Sequence, residues 1–216
     1  MIKLPVLKRD SSRHKGKGFM TEVISAWYGA GAIIVDLEEQ KSHILKREEI
    51  LIWLYGKVIP VRFQHSLETE AWVKKLSKLY GFSSEVERKA SLAALLHDNA
   101  KMDVKDRYRV KSGKGHGYDG AESARNRFGD EVIDEEVYNA IRFHPGGREQ
   151  MCKVEALVFI ADNLASFTKP YEFIEKIMEK IYRENSSFED LVEYVKELEE
   201  IYFRYKHGIK FHTSEG

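Results

Sequence analysis

The chain has 216 residues, of which 43% are hydrophobic and 32% charged, with 35 Lys+Arg against 35 Asp+Glu. This length predicts one good-sized domain, or a domain with a small appendage, and the balanced charge excludes a global field that would attract nucleic acid or a membrane surface. A single cysteine, Cys152, excludes an intramolecular disulfide framework and a thiolate metal cluster. No apolar run approaches the ~20 residues that span a bilayer, and the first residues lack a signal-peptide core, so we expect a cytoplasmic protein.

The first part of the chain differs in character from the rest. Residues 1–18 are rich in lysine and arginine with the single acid Asp10, and the absence of interleaved aromatic residues favours a solvated arm over a nucleic-acid contact. Residues 19–36 are β-prone, and a Gly-Ala-Gly sequence at 29–31 is typical of a hairpin turn. We therefore predict a small β-prone extension over residues 1–45 and a helical domain over residues 46–216.

Amphipathic and apolar patterns predict helices through most of the remaining chain. The predicted segments are residues 47–57, residues 61–80, a helix opened by a Ser84–Glu87 capping box, a helix from His116 to Gly129, a helix capped by Asp134, residues 154–165, and two helices across residues 171–205. Residues 104–115 are polar and glycine-rich, which predicts a loop. The predicted fold class is mainly α, with a small N-terminal β-prone segment.

Two acidic residues stand in segments that are otherwise apolar. Residues 91–96 run directly into His97 and Asp98, and Asp162 lies within the apolar segment 154–165. A helix without a polar face is predicted to be buried, and a buried carboxylate is unfavourable unless it is paired or coordinates a metal. Candidate partners on the other predicted helices are His65, His116 and His144.

The candidates form a set of six side chains on five helices or helix ends, namely His65, His97, Asp98, His116, His144 and Asp162. One histidine on a core face is usually a hydrogen-bonded core residue, but four histidines with two embedded acids are hard to explain by core packing. Imidazole and carboxylate suit a divalent ion, such as iron, manganese or another first-row ion, and more than four ligands leave room for two ions. Asp98 is the natural bridge, because it is fixed beside His97 and carries two oxygens.

The order of these residues resembles the HD-domain metal-dependent phosphohydrolases, and within them the YqeK-like symmetrical diadenosine tetraphosphate hydrolases. The likeness covers about residues 47–211 and rests on the segments FQHSLETEAW, AALLHDNAK, HGYDGAESAR, AIRFHPGGREQM and LVFIADNLA. It implies an HD-type helical bundle with a dinuclear site. One ion would be held by His65, His97, Asp98 and Asp162. The other would be held by His116 and His144, with Asp98 between the two ions.

The same resemblance implies an enzyme whose partner is a nucleotide. A metal-activated hydroxide would attack a phosphorus atom and split diadenosine tetraphosphate in the middle to give two ADP. Beside Asp98, the expected catalytic residue is Lys101, which would also contact the substrate phosphates as a point charge, and Arg148 would contact them as a bidentate fork. The alternatives are a Lys101 that only faces a helix C-terminus and an Arg148 that is a solvated loop residue.

The chain departs from that family in two places. Ala-Ser-Phe-Thr-Lys-Pro at residues 165–170 replaces an acidic-proline-x-arginine segment, and Pro-Gly-Gly at 145–147 replaces Thr-Thr-Gly. Two other hypotheses stay open. A mixed-valence di-iron oxygenase on the same fold would need oxygen and part-reduced iron, whereas a hydrolase would work anaerobically. A non-catalytic nucleotide-binding module would have no turnover.

The two C-terminal helices are expected either to form a homodimer interface or to cover the bundle. Their many aromatic residues are more typical of packing than of a ligand site. Beyond a nucleotide and a possible second copy of the chain, we expect no nucleic-acid partner and no membrane.

Overall fold

The computed structural model describes residues 37–101 and 115–207, with the backbone alone for residues 37–45. Within these ranges the chain forms eight α-helices and no strand, so the prediction of a mainly α fold is confirmed. In chain order they are α1 (Leu37–Lys57), α2 (Pro60–Leu79), α3 (Ser84–Leu96), α4 (His116–Phe128), α5 (Glu135–Phe143), α6 (Lys153–Leu164), α7 (Tyr171–Tyr182) and α8 (Phe188–Lys206). None of them is long and apolar enough to cross a membrane. The predicted β-prone residues before 37, and the predicted loop up to residue 114, lie outside the described residues.

Helix α1 begins at Leu37, ten residues before the predicted start at residue 47. The added segment is rich in Leu, Glu, Gln and Lys, all of which have high helix propensity, and this explains why the helix extends beyond the predicted start. The chain divides by internal packing into residues 1–42 and residues 43–216, and the second unit contains all of the candidate site residues. The boundary that we placed at residue 45 stays a prediction.

Side-chain caps fix the starts of two helices that lead into the site. At α3 the cap is Ser83, whose Oγ accepts a hydrogen bond of 3.3 Å from the Val86 backbone N–H. Ser83 has the extended backbone of a cap residue, so the predicted cap Ser84 already lies inside the helix. The predicted cap of α5 is confirmed, because Asp134 Oδ1 accepts a 3.0 Å hydrogen bond from the Val137 N–H.

Helix α6 lies at the centre of the bundle. Its residues 154–161 are all buried, and it packs against α2, α3 and α5, with further contacts to α7 and α8. A helix that is apolar on every side needs neighbours on every side, and these helices supply them. Helix α2 also packs on α3, and α4 packs on α5. The packing brings the C-terminal ends of α3 and α5 close to the N-terminal end of α4 and the last turn of α6.

Candidate metal centre

Four histidine rings meet where these helix ends come together. His97 and His144 are the C-terminal caps of α3 and α5, His116 is the first residue of α4, and His65 lies in α2. The Nε2 atoms of His65 and His97 are 3.1 Å apart, and those of His116 and His144 are 3.2 Å apart. The imidazoles therefore form two pairs, and in each pair one ring nitrogen points at the other.

Backbone carbonyls fix the orientation of three of these rings. The Nδ1–O distances are 3.2 Å for His65 to Ala165, 2.7 Å for His97 to Ala94 and 2.7 Å for His144 to Ile141. Because a carbonyl oxygen only accepts, we assign the proton of each neutral ring to Nδ1, which leaves a lone pair on Nε2. Metal-binding histidines are commonly oriented by an acceptor on their other nitrogen in this way.

Two carboxylates face the His65–His97 pair. Asp162 Oδ1 lies 2.9 Å from His65 Nε2 and 3.3 Å from His97 Nε2. Asp98 Oδ2 lies 3.8 Å and 3.7 Å from the same two nitrogens. The ligand atoms of His65, His97 and Asp98 all lie within 4.8 Å of one another, and Asp162 belongs to a second such group with His97 and His144. Nitrogen and oxygen donors of the kind that divalent first-row ions accept therefore lie together at this end of the bundle.

The other oxygen of Asp98 faces the second histidine pair. Asp98 Oδ1 lies 3.3 Å from His144 Nε2 and 3.6 Å from His116 Nε2. Although the carboxylate is fully buried, no described residue donates a hydrogen bond to Oδ1, and such an atom is unfavourable unless a cation compensates it. Neighbouring ligands of an ion bonded at about 2.0–2.1 Å lie roughly 3 Å apart. The donors therefore fit a metal ion here as well.

Both carboxylates of the cluster are ionised in the folded protein. Burial alone would raise the pKa of Asp98, but the imidazoles of His97 and His144 hold this pKa well below its usual range. Burial would also raise the pKa of Asp162, but its close contacts with the imidazoles of His65 and His97 hold this pKa well below its usual range. Two negative charges at the end of a helical bundle, one of them fully buried, call for compensating positive charge, which a bound metal ion would supply.

The imidazoles respond differently to their surroundings. Burial, together with the nearby His144, lowers the pKa of His116 to about 4, so His116 is neutral at pH 7 and can bind through its Nε2 lone pair. Burial also acts to lower the pKa of His97, but the charges of Asp98 and Asp162 outweigh it and raise this pKa.

Of the two predicted phosphate contacts, only Lys101 lies at the cluster. Its Nζ is 3.3 Å from Asp98 Oδ2. Arg148 instead donates from Nε and Nη2 to the two carboxylate oxygens of Glu155, at 2.6 and 2.7 Å, and it lines a different cavity between α6 and α8. Glu155 is buried, so the Arg148 guanidinium, which we predicted to bind a phosphate through two hydrogen bonds, binds an internal carboxylate instead. The position of Arg148 gives no support to a phosphate contact.

Two cations that were not predicted from the sequence line the cavity over the cluster. This cavity has a volume of about 150 Å³, and its walls include Arg62 and Lys169. Arg62 Nη1 donates to Asp98 Oδ2 at 3.3 Å. A signal for Arg62 was present, because it precedes His65 by three residues and so shares its helix face. Lys169 pairs with Glu199 of α8, and no local spacing indicates a contact between residues so far apart in sequence.

The helices that carry the cluster match known proteins. The HD-domain family profile matches residues 62–166, which include all six cluster residues. A symmetrical bis(5'-nucleosyl)-tetraphosphatase from Halalkalibacterium halodurans is 32% identical over 130 residues, or 54% of this chain and 66% of that protein. Proteins of the same name from Staphylococcus aureus and Bacillus subtilis are 36% and 26% identical, over 57% and 68% of their lengths and 47% and 55% of this chain. The chain thus matches slightly less than two thirds of the first relative and a little over half of the second.

A solved structure shares the fold. It is a predicted HD superfamily hydrolase involved in NAD metabolism from Clostridium acetobutylicum, with a TM-score of 0.58 and 24% sequence identity. The match covers 77% of this chain and 90% of that chain. At this identity the likeness shows the arrangement of the helices and nothing of the substrate.

Proposed function

Since this chain belongs to the HD-domain family of metal-dependent hydrolases, we propose that it hydrolyses a phosphate anhydride or ester in a nucleotide. The finer proposal is the symmetrical cleavage of diadenosine tetraphosphate to two ADP, the activity in the names of the matched relatives. In that reaction the oxygen of water bonds to one of the two central phosphorus atoms. The bond from this phosphorus to the bridging oxygen breaks, and the bridging oxygen leaves with the second ADP.

The observation that carries the proposal is the position of Asp98 between two histidine pairs. Its two oxygens face different pairs, which supports a dinuclear centre bridged by this carboxylate. We infer one ion on His65, His97, Asp98 and Asp162, and a second on His116, His144 and Asp98. Iron, manganese or another first-row ion fits these donors. Two bound divalent ions supply Lewis acidity, a lowered pKa for water and neutralisation of phosphoryl charge.

Among the residues that the structure describes, three cationic side chains line the cavity, and they support a phosphate substrate. Arg62 and Lys101 each reach Asp98 Oδ2 at 3.3 Å, and Lys169 lines the same cavity. Positive charge fixed at this position attracts a polyphosphate and favours the charge that develops on phosphoryl oxygens during hydrolysis. Arg62 would contribute paired, directional donors, whereas the lysines act as point charges. This cationic lining favours hydrolysis of a phosphate over the oxygenase hypothesis.

An anaerobic hydrolysis panel tests the proposal. Protein loaded with manganese or iron(II) is incubated without oxygen with diadenosine tetraphosphate, nucleoside monophosphates and deoxynucleotides, and the products are separated by chromatography. We expect ADP as the only product from diadenosine tetraphosphate. If the products are AMP and ATP, the cleavage is not symmetrical, but the protein is still a hydrolase. Turnover that requires oxygen would favour the oxygenase, and full metal loading without any turnover would favour the binding module.

A further inference from the structure

An exposed aromatic side chain stands at the mouth of the cavity over the metal cluster. Phe167 lines this cavity, and 50% of its surface is exposed. Its ring lies edge-on to His65, with centroids 5.6 Å apart and an interplanar angle of 84°. The guanidinium carbon of Arg62 lies 4.9 Å from the same ring centroid. Phe167 therefore contacts both a histidine of the cluster and a cation that we assign to phosphate binding.

The segment around Phe167 is anchored on both sides of the ring. The backbone N–H of Thr168 donates to Ser166 Oγ at 3.3 Å, and Tyr202 Oη of α8 donates to the Thr168 carbonyl at 3.2 Å. Lys169, the residue after Thr168, forms an ion pair with Glu199, which also belongs to α8. These contacts hold the exposed ring at the edge of the cavity, where a bound ligand would meet it.

The size of the cavity decides which part of a nucleotide it can enclose. A volume of about 150 Å³ is well below the ~300–1,000 Å³ of pockets that enclose a whole drug-sized ligand. The cations and the metal ligands line this small space, so it suits the phosphates. The base of the same nucleotide must then lie outside, at the rim. Bases stack on aromatic side chains, and such stacking is tolerant of base identity because every base has a π-face.

We propose that Phe167 is a stacking platform for the nucleobase of the substrate. The proposal rests on the proposed function, because it takes a nucleotide whose phosphates occupy the cluster. Stacking gives no hydrogen-bond readout of the base edge, so purine and pyrimidine nucleotides both bind at this platform. The segment that carries Phe167 is one of those in which this chain departs from the family pattern, and the platform is a property of this chain's own residues.

Calorimetric titration of the metal-loaded protein with ADP and with inorganic pyrophosphate tests the platform. Phe167→Ala removes the π-face, Phe167→Leu keeps an apolar cover over His65, and Phe167→Trp restores an aromatic face. Phe203 supplies a matched control, because it is also exposed, at 56%, but packs on His207 at the end of α8. We expect Phe167→Ala to raise the Kd for ADP about fivefold or more.

The comparison of the two ligands separates base stacking from a structural role. We expect Phe167→Leu to weaken ADP binding as well, and Phe167→Trp to restore it. The Kd for pyrophosphate should change less than twofold in all three Phe167 variants. In Phe203→Ala the Kd for ADP should also change less than twofold. An ADP Kd that Phe167→Ala leaves within twofold would overturn the platform, and so would an equal loss for ADP and pyrophosphate. If the wild-type protein binds pyrophosphate but not ADP, the proposed stacking role of Phe167 is wrong and the proposed phosphate site is kept. Binding of neither ligand would overturn the proposed function with it.

Discussion

Asp98 lies between the two histidine pairs of the cluster. It is fully buried, its two oxygens face separate histidine pairs, and one of them receives no hydrogen bond from any described residue. Asparagine has nearly the same shape as aspartate, but it carries no charge and has only one oxygen. A change from aspartate to asparagine at this position therefore isolates the proposed bridging role from the packing of the side chain.

Asp98→Asn is expected to lower the metal content from about two ions per chain to one or fewer. Activity should fall at least about 100-fold, because loss of a supporting partner of a ligand already lowers activity about 10- to 100-fold and Asp98 is proposed as the ligand itself. Elemental analysis and steady-state kinetics measure both effects. Asp130→Asn serves as the control, since that side chain is 85% exposed. Unchanged metal content and activity in Asp98→Asn would refute the bridging role.

The ion pair of Arg148 with Glu155 indicates a role in stability for this arginine. Arg148→Ala removes the two hydrogen bonds that the guanidinium donates to the buried Glu155 carboxylate. We therefore expect the free energy of unfolding to fall by roughly 1–3 kcal/mol. The KM for the substrate should stay within twofold, because Arg148 lies away from the cluster. Denaturant unfolding and kinetics check the two expectations. Arg183→Ala is the matched control, since its pair with Glu179 is exposed. A large rise in KM at unchanged stability would restore the phosphate contact that we first predicted.

Helix α5 carries His144 to the site from a start that is fixed by a charged cap. Burial raises the pKa of Asp134, but the hydrogen bond from the Val137 N–H and the ion pair with Lys89 outweigh it, so this pKa lies below its usual value of 3.8. A folded-state pKa below the unfolded value stabilises the fold above the unfolded pKa. This contribution is lost as the pH falls through the folded pKa.

Asp134→Ala is therefore expected to lower the free energy of unfolding by about 1 kcal/mol at pH 7, the usual effect of losing a helix cap. The difference from the wild type should persist down to about pH 4 and shrink below it, as the carboxylate of the wild type becomes protonated. Chemical unfolding across pH 3 to 7 measures it, with Asp130→Ala as a neighbouring exposed control. A difference that grows as the pH falls would contradict this sign.

The elements that form the site could be predicted from the sequence to different degrees. The two apolar segments that become α3 and α6 were predicted as buried helices, because a helix without a polar face is stable only when other elements cover it. The cap of α3 was predicted one residue late, since Ser83 and Ser84 are both good caps and backbone geometry chooses between them. The segment 165–169 could not be predicted, because its conformation depends on contacts with α8, more than 30 residues further along the chain.

At the scale of the whole molecule, the cluster is assembled by tertiary packing. His65 and Asp162 are 97 residues apart in sequence and 2.9 Å apart in space. The set of six side chains could be predicted from chemistry, since buried acids and histidines need partners. Lys169 could not, because a cation in a loop is ordinarily solvated, whereas Arg62 could have been found from its spacing of three residues from His65. The partner of Arg148 was missed for a related reason, since Glu155 is buried only because α6 is central.

Because the proposed ligands come from five helices, a bound metal should stabilise the whole fold. Removal of the metal with a chelator leaves Asp98 Oδ1 without a compensating partner, and we expect a lower Tm that added manganese restores. An ion at 100 times its Kd contributes about 2.7 kcal/mol to the stability of the folded state. Thermal unfolding with and without chelator measures this shift. An identical Tm for both forms would contradict a metal centre that ties the helices together.

The most direct test of the proposed chemistry is hydrolysis of diadenosine tetraphosphate by the metal-loaded protein in ¹⁸O-labelled water, under nitrogen, with mass spectrometry of the products. Addition of water to a central phosphorus predicts ADP as the only product, with half of its molecules carrying one ¹⁸O atom and the other half none. Labelled AMP or ATP would show attack at another phosphorus, and formation of product only after oxygen is admitted would contradict the phosphohydrolase account.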